Sequence, residues 1–237
     1  MDIFKNLKEN VFKANIRLKT EGLIVLTWGN VSAIDREHEV IAIKPSGIPY
    51  HLLKPEQIVI VDLKTSAPIV ENGLAPSSDT PTHLELYRNF PEIGAIVHTH
   101  SIYATVWSQA CMEIPPLGTT HADTFSTPIP CTRPMNKEEI MSDYELNTGK
   151  VIVERIKGTN PLHCPAVLVS HHGPFTWGIT PENAVENAVI LEQVAQMAIL
   201  TRQLIPTISN IPGTLLLKHF QRKHGPHAYY GQSSSRK

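Results

Sequence analysis

Four short runs of β-prone residues early in the chain constrain the fold more than any other feature. They are Leu23-Ile24-Val25-Leu26-Thr27, Val31-Ser32-Ala33-Ile34, Val40-Ile41-Ala42-Ile43 and Ile58-Val59-Ile60-Val61. Each has the length and residue types of a strand. A parallel pair needs a crossover of roughly a dozen residues or more, usually a helix, and the gaps between the first three runs are too brief for one. The spacing therefore predicts antiparallel pairing. Another strand follows Pro91 and ends at His98-Thr99-His100, and Ala166-Val167-Leu168-Val169 reads as a further one.

Helices are expected around these strands. Phe4, Leu7, Val11, Ala14 and Leu18 recur at spacings of three and four, and Gly22 stops that stripe. Thr80-Pro81 reads as N-cap and first helical residue, with Leu84 and Tyr87 inward, and Thr180-Pro181 opens a long helix with Ala184, Ala188, Leu191, Ala195 and Ala198 on its packed face. A helix is predicted over 104–110. Asn136 and Glu139 form a capping box, with Met135 and Ile140 as a hydrophobic staple, from which a long helix should start. Leu215–Phe220 suggests a short helix, and the last residues, 233–237, read as an unstructured tail. At 237 residues the chain can bury a large core, and with no repeat or linker in sight we expect one domain over 1–232.

Charge and cysteines narrow the function classes. A formal charge of -1 gives no overall pull toward nucleic acid or an anionic membrane, and no apolar run approaches the roughly 20 residues that span a bilayer. Cys111, Cys131 and Cys164 form no Cys-X-X-Cys pair, so reduced thiols in a cytoplasm are expected rather than a disulfide framework or zinc ribbon.

The chemistry centres on His98 and His100, which project from one face of an extended chain and suit zinc or a first-row neighbour. Alone, such a pair is more often structural. Asp79 upstream and a histidine of His171-His172 downstream would complete three imidazoles and a carboxylate, and strand alternation allows either of the adjacent histidines. Three segments have the small residues and donors of oxyanion cradles: Thr27-Trp28-Gly29-Asn30, Ile43-Lys44-Pro45-Ser46-Gly47 and Pro76-Ser77-Ser78. His121 and Asp123, two apart in a Pro/Gly-rich loop, would share one side of an extended segment. The basic stretch 218–231 reads either as a solvated helix or as an arm bringing Arg, His and Tyr to a phosphate.

In order along the chain, Thr27-Trp28-Gly29-Asn30-Val31-Ser32, Ile43-Lys44-Pro45-Ser46-Gly47, Pro76-Ser77-Ser78-Asp79-Thr80, His98-Thr99-His100-Ser101, Gly118-Thr119-Thr120-His121-Ala122-Asp123, His172-Gly173-Pro174-Phe175 and Ala228-Tyr229-Tyr230-Gly231-Gln232 resemble the class II sugar-phosphate aldolases and epimerases. Among these the resemblance is to the L-ribulose-5-phosphate 4-epimerases, and it runs from Leu7 to Gln232. It implies a three-layer α/β/α fold around a mainly antiparallel sheet, and a homotetramer with active sites between subunits acting on a phosphorylated ketopentose. It implies that Asp79, His98, His100 and His172 hold a divalent metal, Zn2+ or another such as Mn2+ or Co2+. By the same resemblance, Gly29, Asn30, Lys44, Ser46, Gly47, Ser77 and Ser78 bind substrate and its phosphate, Asp123 and Tyr230 are the acid/base pair, Tyr230 coming from a neighbouring subunit, and Thr119, Glu145, His219 and Arg222 support them. Tyr144–Lys150 and Lys218–Phe220 look closer to the ascorbate-catabolism version than to the arabinose version. Two rivals remain. An aldolase releasing its products would, by resemblance, carry a longer Glu where Asp79 stands, and a non-catalytic aldolase-like scaffold would not need four ligands. No Gly-X-Gly-X-X-Gly opens a βαβ unit to hold a nicotinamide.

Overall fold

The structure is a computed structural model, which describes residues 3–69, 73–226 and 228–229. Its strands are β1 (Gly29–Asp35), β2 (Val40–Ile43), β3 (Val59–Asp62), β4 (Pro68–Ile69), β5 (Ala95–Thr99), β6 (Ala166–Leu168) and β7 (Pro174–Gly178). Its α-helices are α1 (Lys5–Thr20), α2 (Thr80–Asn89), α3 (Ile102–Gln109), α4 (Thr119–Ala122), α5 (Lys137–Met141), α6 (Tyr144–Ile156), α7 (Pro181–Leu204) and α8 (Gly213–His224). The strands form one seven-stranded sheet in the order β4-β3-β2-β1-β5-β7-β6, and every neighbouring pair is antiparallel. The short gaps between the early strands allow nothing else.

Both faces of this sheet are covered, which is why the strands read as unbroken apolar runs rather than as an alternation. Val40, Ala42, Ala95 and Val97 pack with Val11, Ala14 and Leu18 of α1 and with Ala184, Val185 and Ala188 of α7. The alternate residues Ile41, Ile43 and Ile96 face the opposite layer, with Leu84 and Tyr87 of α2 and Ile152 and Ile156 of α6. A third cluster joins α3, α7 and β6 through Trp107, Leu191 and Leu168. Each fully buried Leu or Ile in these layers contributes about 1.5–3 kcal/mol. The architecture is the expected α/β/α sandwich. No helix among the described residues is long and apolar enough to cross a membrane.

Specific polar contacts hold the layers in register. Asn15 of α1 accepts from the Val31 N–H at 3.0 Å and donates to the Val31 carbonyl at 3.3 Å, so α1 is tied to β1 just beyond Asn30. The buried Glu192 carboxylate on α7 accepts from the backbone N–H groups of Tyr103 and Ala104 at 2.8 and 2.9 Å, capping α3 immediately after His100. Gly149 lets α6 approach α2, since a Cβ there would lie 2.7 Å from the Glu85 Cβ.

Local patterns misjudged several segments. Leu23–Thr27 is not a strand: Leu26 takes φ 54°, and the Trp28 N–H closes a turn on the Val25 carbonyl at 3.0 Å. The helix from the Asn136 capping box ends at Met141, because the Ser142 hydroxyl takes the Glu138 carbonyl at 2.8 Å and Asn147 caps the Glu139 carbonyl at 3.0 Å before α6 begins. Residues 119–122 form a helical turn instead of an extended segment, so His121 and Asp123 do not share a side. Asp79, not Thr80, occupies the N-cap of α2, and α8 is longer than the apolar run 215–220 suggests. Strands β4 and β7 have no counterpart among the expected runs. The expected tail 233–237 and Tyr230 lie outside the described residues.

Candidate active site

The site forms where the ends of β1 and β5 meet the start of α2. Antiparallel register sets Asn30 of β1 directly opposite His98 of β5, on the face that looks toward α2 and α6. Gly29, immediately before, has φ 110°, and a Cβ there would lie 2.7 Å from the His98 carbonyl oxygen, so only glycine lets the two strands close at this point. His100 follows the end of β5. His172 arrives from the tight turn between β6 and β7, in which the His172 N–H donates to the Val169 carbonyl at 3.0 Å. That turn decides between the adjacent histidines: His171, at φ 61°, puts its ring against Cys111, with Nε2 3.3 Å from the sulfur, and His172 enters the cluster.

Ligand atoms of His98, His100 and His172 lie within 4.8 Å of one another. The Nε2 atoms of His98 and His100 are 3.2 Å apart. His98 Nδ1 is 3.0 Å from the Pro174 carbonyl and donates its proton there, which leaves the Nε2 lone pair facing the other rings. His172 Nδ1 is buried without a hydrogen bond. Burial, reinforced by the neighbouring His98, lowers the pKa of His100, and burial with both neighbours brings His172 to about 3. Imidazoles crowded around a common point, one of them oriented by a carbonyl, fit a divalent cation such as zinc.

Asp79 lines the same cavity but stands outside this close-set trio. Asn30 Nδ2 donates to its Oδ2 at 2.7 Å and to Ser77 Oγ at 3.0 Å. Burial alone would raise the Asp79 carboxyl, but His98, His83 and the Asn30 hydrogen bond outweigh it and hold the group below the usual carboxylate range.

All seven residues expected to bind substrate, Gly29, Asn30, Lys44, Ser46, Gly47, Ser77 and Ser78, line one cavity of about 600 Å³ together with Asp79, His98, His100, His172 and Glu145. Lys44 is only 2% exposed, and among the described residues its ammonium meets the Pro45 carbonyl at 3.1 Å and the face of Tyr50 at 5.0 Å, with no carboxylate. Burial lowers its pKa from 10.5 to about 8. A buried ammonium with no counter-ion among the described residues, beside exposed loop donors, gives this end of the cavity the chemistry that suits an oxyanion. Trp28 and Tyr144 also line the cavity, with rings 6.1 Å from His100 and 6.2 Å from His172. Neither was singled out from the sequence, although both stand inside the segments that carry the resemblance.

The remaining candidates form a separate patch. Asp123, at the end of α4, does not line the cavity. Its carboxylate takes His219 Nδ1 at 2.9 Å and a two-pronged contact from Arg222 at 3.1 and 2.8 Å, all from α8. Burial pushes Asp123 up, but Arg222 and His219 more than compensate and keep it below its ordinary value. Thr119 opens the same helical turn. His121 is buried against Phe125 with its Nε2 2.8 Å from the Thr127 carbonyl, a core contact away from both sites.

Solved structures share this fold. L-fuculose 1-phosphate aldolase is 25% identical, with a TM-score of 0.75 over 90% of this chain and 95% of its own. L-fuculose-1-phosphate aldolase from Thermus thermophilus is 23% identical (TM-score 0.64, covering 86% and 98%), and a sugar-phosphate aldolase from Thermotoga maritima is 20% identical (TM-score 0.65, covering 89% and 99%). The sequence profile of the class II aldolase and adducin N-terminal domain matches residues 9–199, which reach from α1 through the three histidines to α7, and the chain belongs to that family.

Proposed function

We propose that this chain is a cytoplasmic L-ribulose-5-phosphate 4-epimerase, interconverting L-ribulose 5-phosphate and D-xylulose 5-phosphate. The observation that carries a sugar-phosphate substrate is the buried Lys44, whose ammonium meets no carboxylate among the described residues, in one cavity with three clustered histidines. The C4 hydrogen lies β to the C2 ketone and is not acidic, so inversion at C4 proceeds by breaking and remaking the C3–C4 bond. Asp79, His98, His100 and His172 would hold the divalent metal, and when bound it supplies Lewis-acid stabilisation of the negative charge that develops on the substrate oxygens. Lys44, Ser46, Gly47, Ser77 and Ser78 anchor the phosphate, so the two-carbon fragment turns its carbonyl face without leaving. Asp123 is ionised and accepts the C4 hydroxyl proton of one epimer, and Tyr230 serves the other. Glu145 supports the cavity wall, and Thr119, His219 and Arg222 support Asp123.

Separation of the Asp123 patch from the cavity within one chain supports a homotetramer in which each site is completed by a neighbouring copy. Exposed Met197, Leu200 and Leu204 on α7 and Ile102 and Val106 on α3 offer apolar surface for such an assembly. The second reading, an aldolase that releases two products, draws on the likeness to L-fuculose 1-phosphate aldolase. Asp79 favours the epimerase, because by the resemblance the aldolases place a longer Glu there as a base, whereas here Asn30 and Ser77 hold one oxygen of a shorter carboxylate.

Incubation with L-ribulose 5-phosphate labelled with deuterium at C4 tests the reading. D-Xylulose 5-phosphate should form with the label retained, and heavy carbon at C3 or C4 should slow turnover where chemistry limits the rate. A primary deuterium effect at C4 with no carbon effect at C3 would exclude bond scission, and cleavage of L-fuculose 1-phosphate with no epimerisation would favour the aldolase.

A further inference from the structure

Tyr50 stands behind the oxyanion end of the cavity, and no step of the proposed reaction uses it. It is 2% exposed and does not line the cavity. Gly47, with φ 68°, turns the chain after the Lys44–Gly47 loop, and three residues on Tyr50 meets both strands that frame this end. Its hydroxyl donates to the Gly29 carbonyl at 2.8 Å, at the start of β1. The direction of that bond is fixed, because a carbonyl only accepts. Its ring face lies 5.0 Å from the Lys44 ammonium, on the residue that follows β2. One buried side chain thus ties Lys44 to the residue immediately before Asn30.

Lys44 needs such support. Among the described residues its ammonium meets the Pro45 carbonyl at 3.1 Å and the Tyr50 face, and no carboxylate. The backbone that carries it is held in place: the Ser77 N–H donates to the Lys44 carbonyl and the Ser46 N–H to the Ala75 carbonyl, each at 3.0 Å. A carboxylate behind the lysine would stabilise its charge but would also compete with an arriving phosphate. An aromatic face attracts the cation through the ring quadrupole and takes up none of its hydrogen-bond donors. The ring therefore meets the cost of burying the charge without neutralising the site.

We propose that Tyr50 is a positioning residue of the oxyanion end: anchored by its hydroxyl on the Gly29 carbonyl, it presents a ring face that keeps the buried Lys44 ammonium charged and leaves it donors for the substrate phosphate. This rests on the reading of Lys44 as the phosphate anchor. Burial draws the Lys44 pKa down to about 8, and attraction to the ring opposes a further fall. The other titratable groups lining the cavity are Asp79, Tyr144, Glu145 and the three histidines, which are common to the proteins compared below.

Fluorine on the ring weakens its negative face while nearly keeping its shape, so it separates electrostatic support from packing. The full chain with Tyr50→Phe is the reference, and the same chain with that phenyl ring trifluorinated is the probe. Affinity of the probe for 2-phosphoglycolate should fall roughly 5- to 30-fold below the reference at about pH 9, and by less than about twofold at about pH 6, where Lys44 is protonated in both. In the wild type, spectra of 13C-labelled lysine, assigned against Lys44→Met, should contain one ε-methylene shifted upfield by an aromatic ring and titrating near 8, a readout that needs no Tyr50 variant to fold. The proposal is overturned by equal affinities of reference and probe at about pH 9, by equal losses at both pH values, which would mark a packing role alone, or by a Lys44 signal without the ring shift. If the wild type and Lys44→Met bind the analogue equally, the oxyanion reading itself falls and this inference falls with it.

Discussion

Lys44 offers the most direct test of the oxyanion site, because the feature that makes it useful to a phosphate also makes it a burden to the free fold. Burial carries its pKa from 10.5 to about 8, a change that corresponds to roughly 3 kcal/mol against the charged form. Water in the open cavity screens part of this, so about 1–2 kcal/mol is the reasonable release when the charge is removed. Lys44→Met should therefore raise the melting temperature of the free chain, by roughly 2 to 8 °C for a chain of this size. The same change removes a charge-assisted hydrogen bond to phosphate worth about 1.5–3 kcal/mol, so affinity for a phosphorylated, non-reacting analogue such as 2-phosphoglycolate should fall roughly 10- to 100-fold. The pH dependence has a definite sign. In the free protein Lys44 loses its proton near 8, whereas a bound phosphate holds that proton on, so wild-type affinity should decline as pH rises through about 8 while binding takes up a proton. Calorimetry in buffers of different ionisation enthalpy measures both quantities. A Lys44→Met protein that binds the analogue within threefold of wild type, or that melts at a lower temperature, would refute the assignment.

Other substitutions probe the remaining parts. His98→Asn and His172→Asn should each lower bound divalent metal by roughly 10-fold or more, and full occupancy in both would remove the histidine cluster from consideration. Glu192→Ala uncaps α3 and should destabilise the chain by about 2–4 kcal/mol in denaturant titrations, since two charge-assisted bonds from a buried carboxylate disappear; a change under about 0.5 kcal/mol would contradict this. His121 is depressed from 6.5 to about 4, chiefly by burial, so between those values the unfolded chain takes up a proton that the folded chain does not. Its contribution to stability, at most roughly 3 kcal/mol, is therefore lost as pH falls from 6.5 toward 4, and His121→Phe should flatten that limb of the stability curve. Mixing an inactive Tyr230→Phe chain with an inactive His100→Asn chain should restore some activity after subunit exchange, and verified mixed oligomers that stay inactive would exclude sites shared between copies.

What a sequence can determine by itself is set by how far local rules reach. The short gaps between strands dictated antiparallel pairing, because no helical crossover fits in them, and the Asn136–Glu139 capping box and the Thr180 cap formed as their residue types require. The resemblance picked out nearly every residue of the cavity, from Gly29 to His172, without any knowledge of how they meet. Tertiary structure decided the rest. Leu23–Thr27 has the composition of a strand but turns back on itself, and residues 118–123 coil into a helical turn that sends His121 inward and Asp123 to α8. His172 rather than His171 enters the cluster because of a turn between β6 and β7, and the His98 tautomer is set by a carbonyl 76 positions away in the chain. The buried hydrogen bonds of Ser32 with His83 and Tyr87 are likewise invisible along the sequence, since they join β1 to α2 across 51 and 55 residues. Such contacts depend on sheet register and helix placement, which the burial of side chains on both faces fixes collectively, so no window of neighbouring residues contains them.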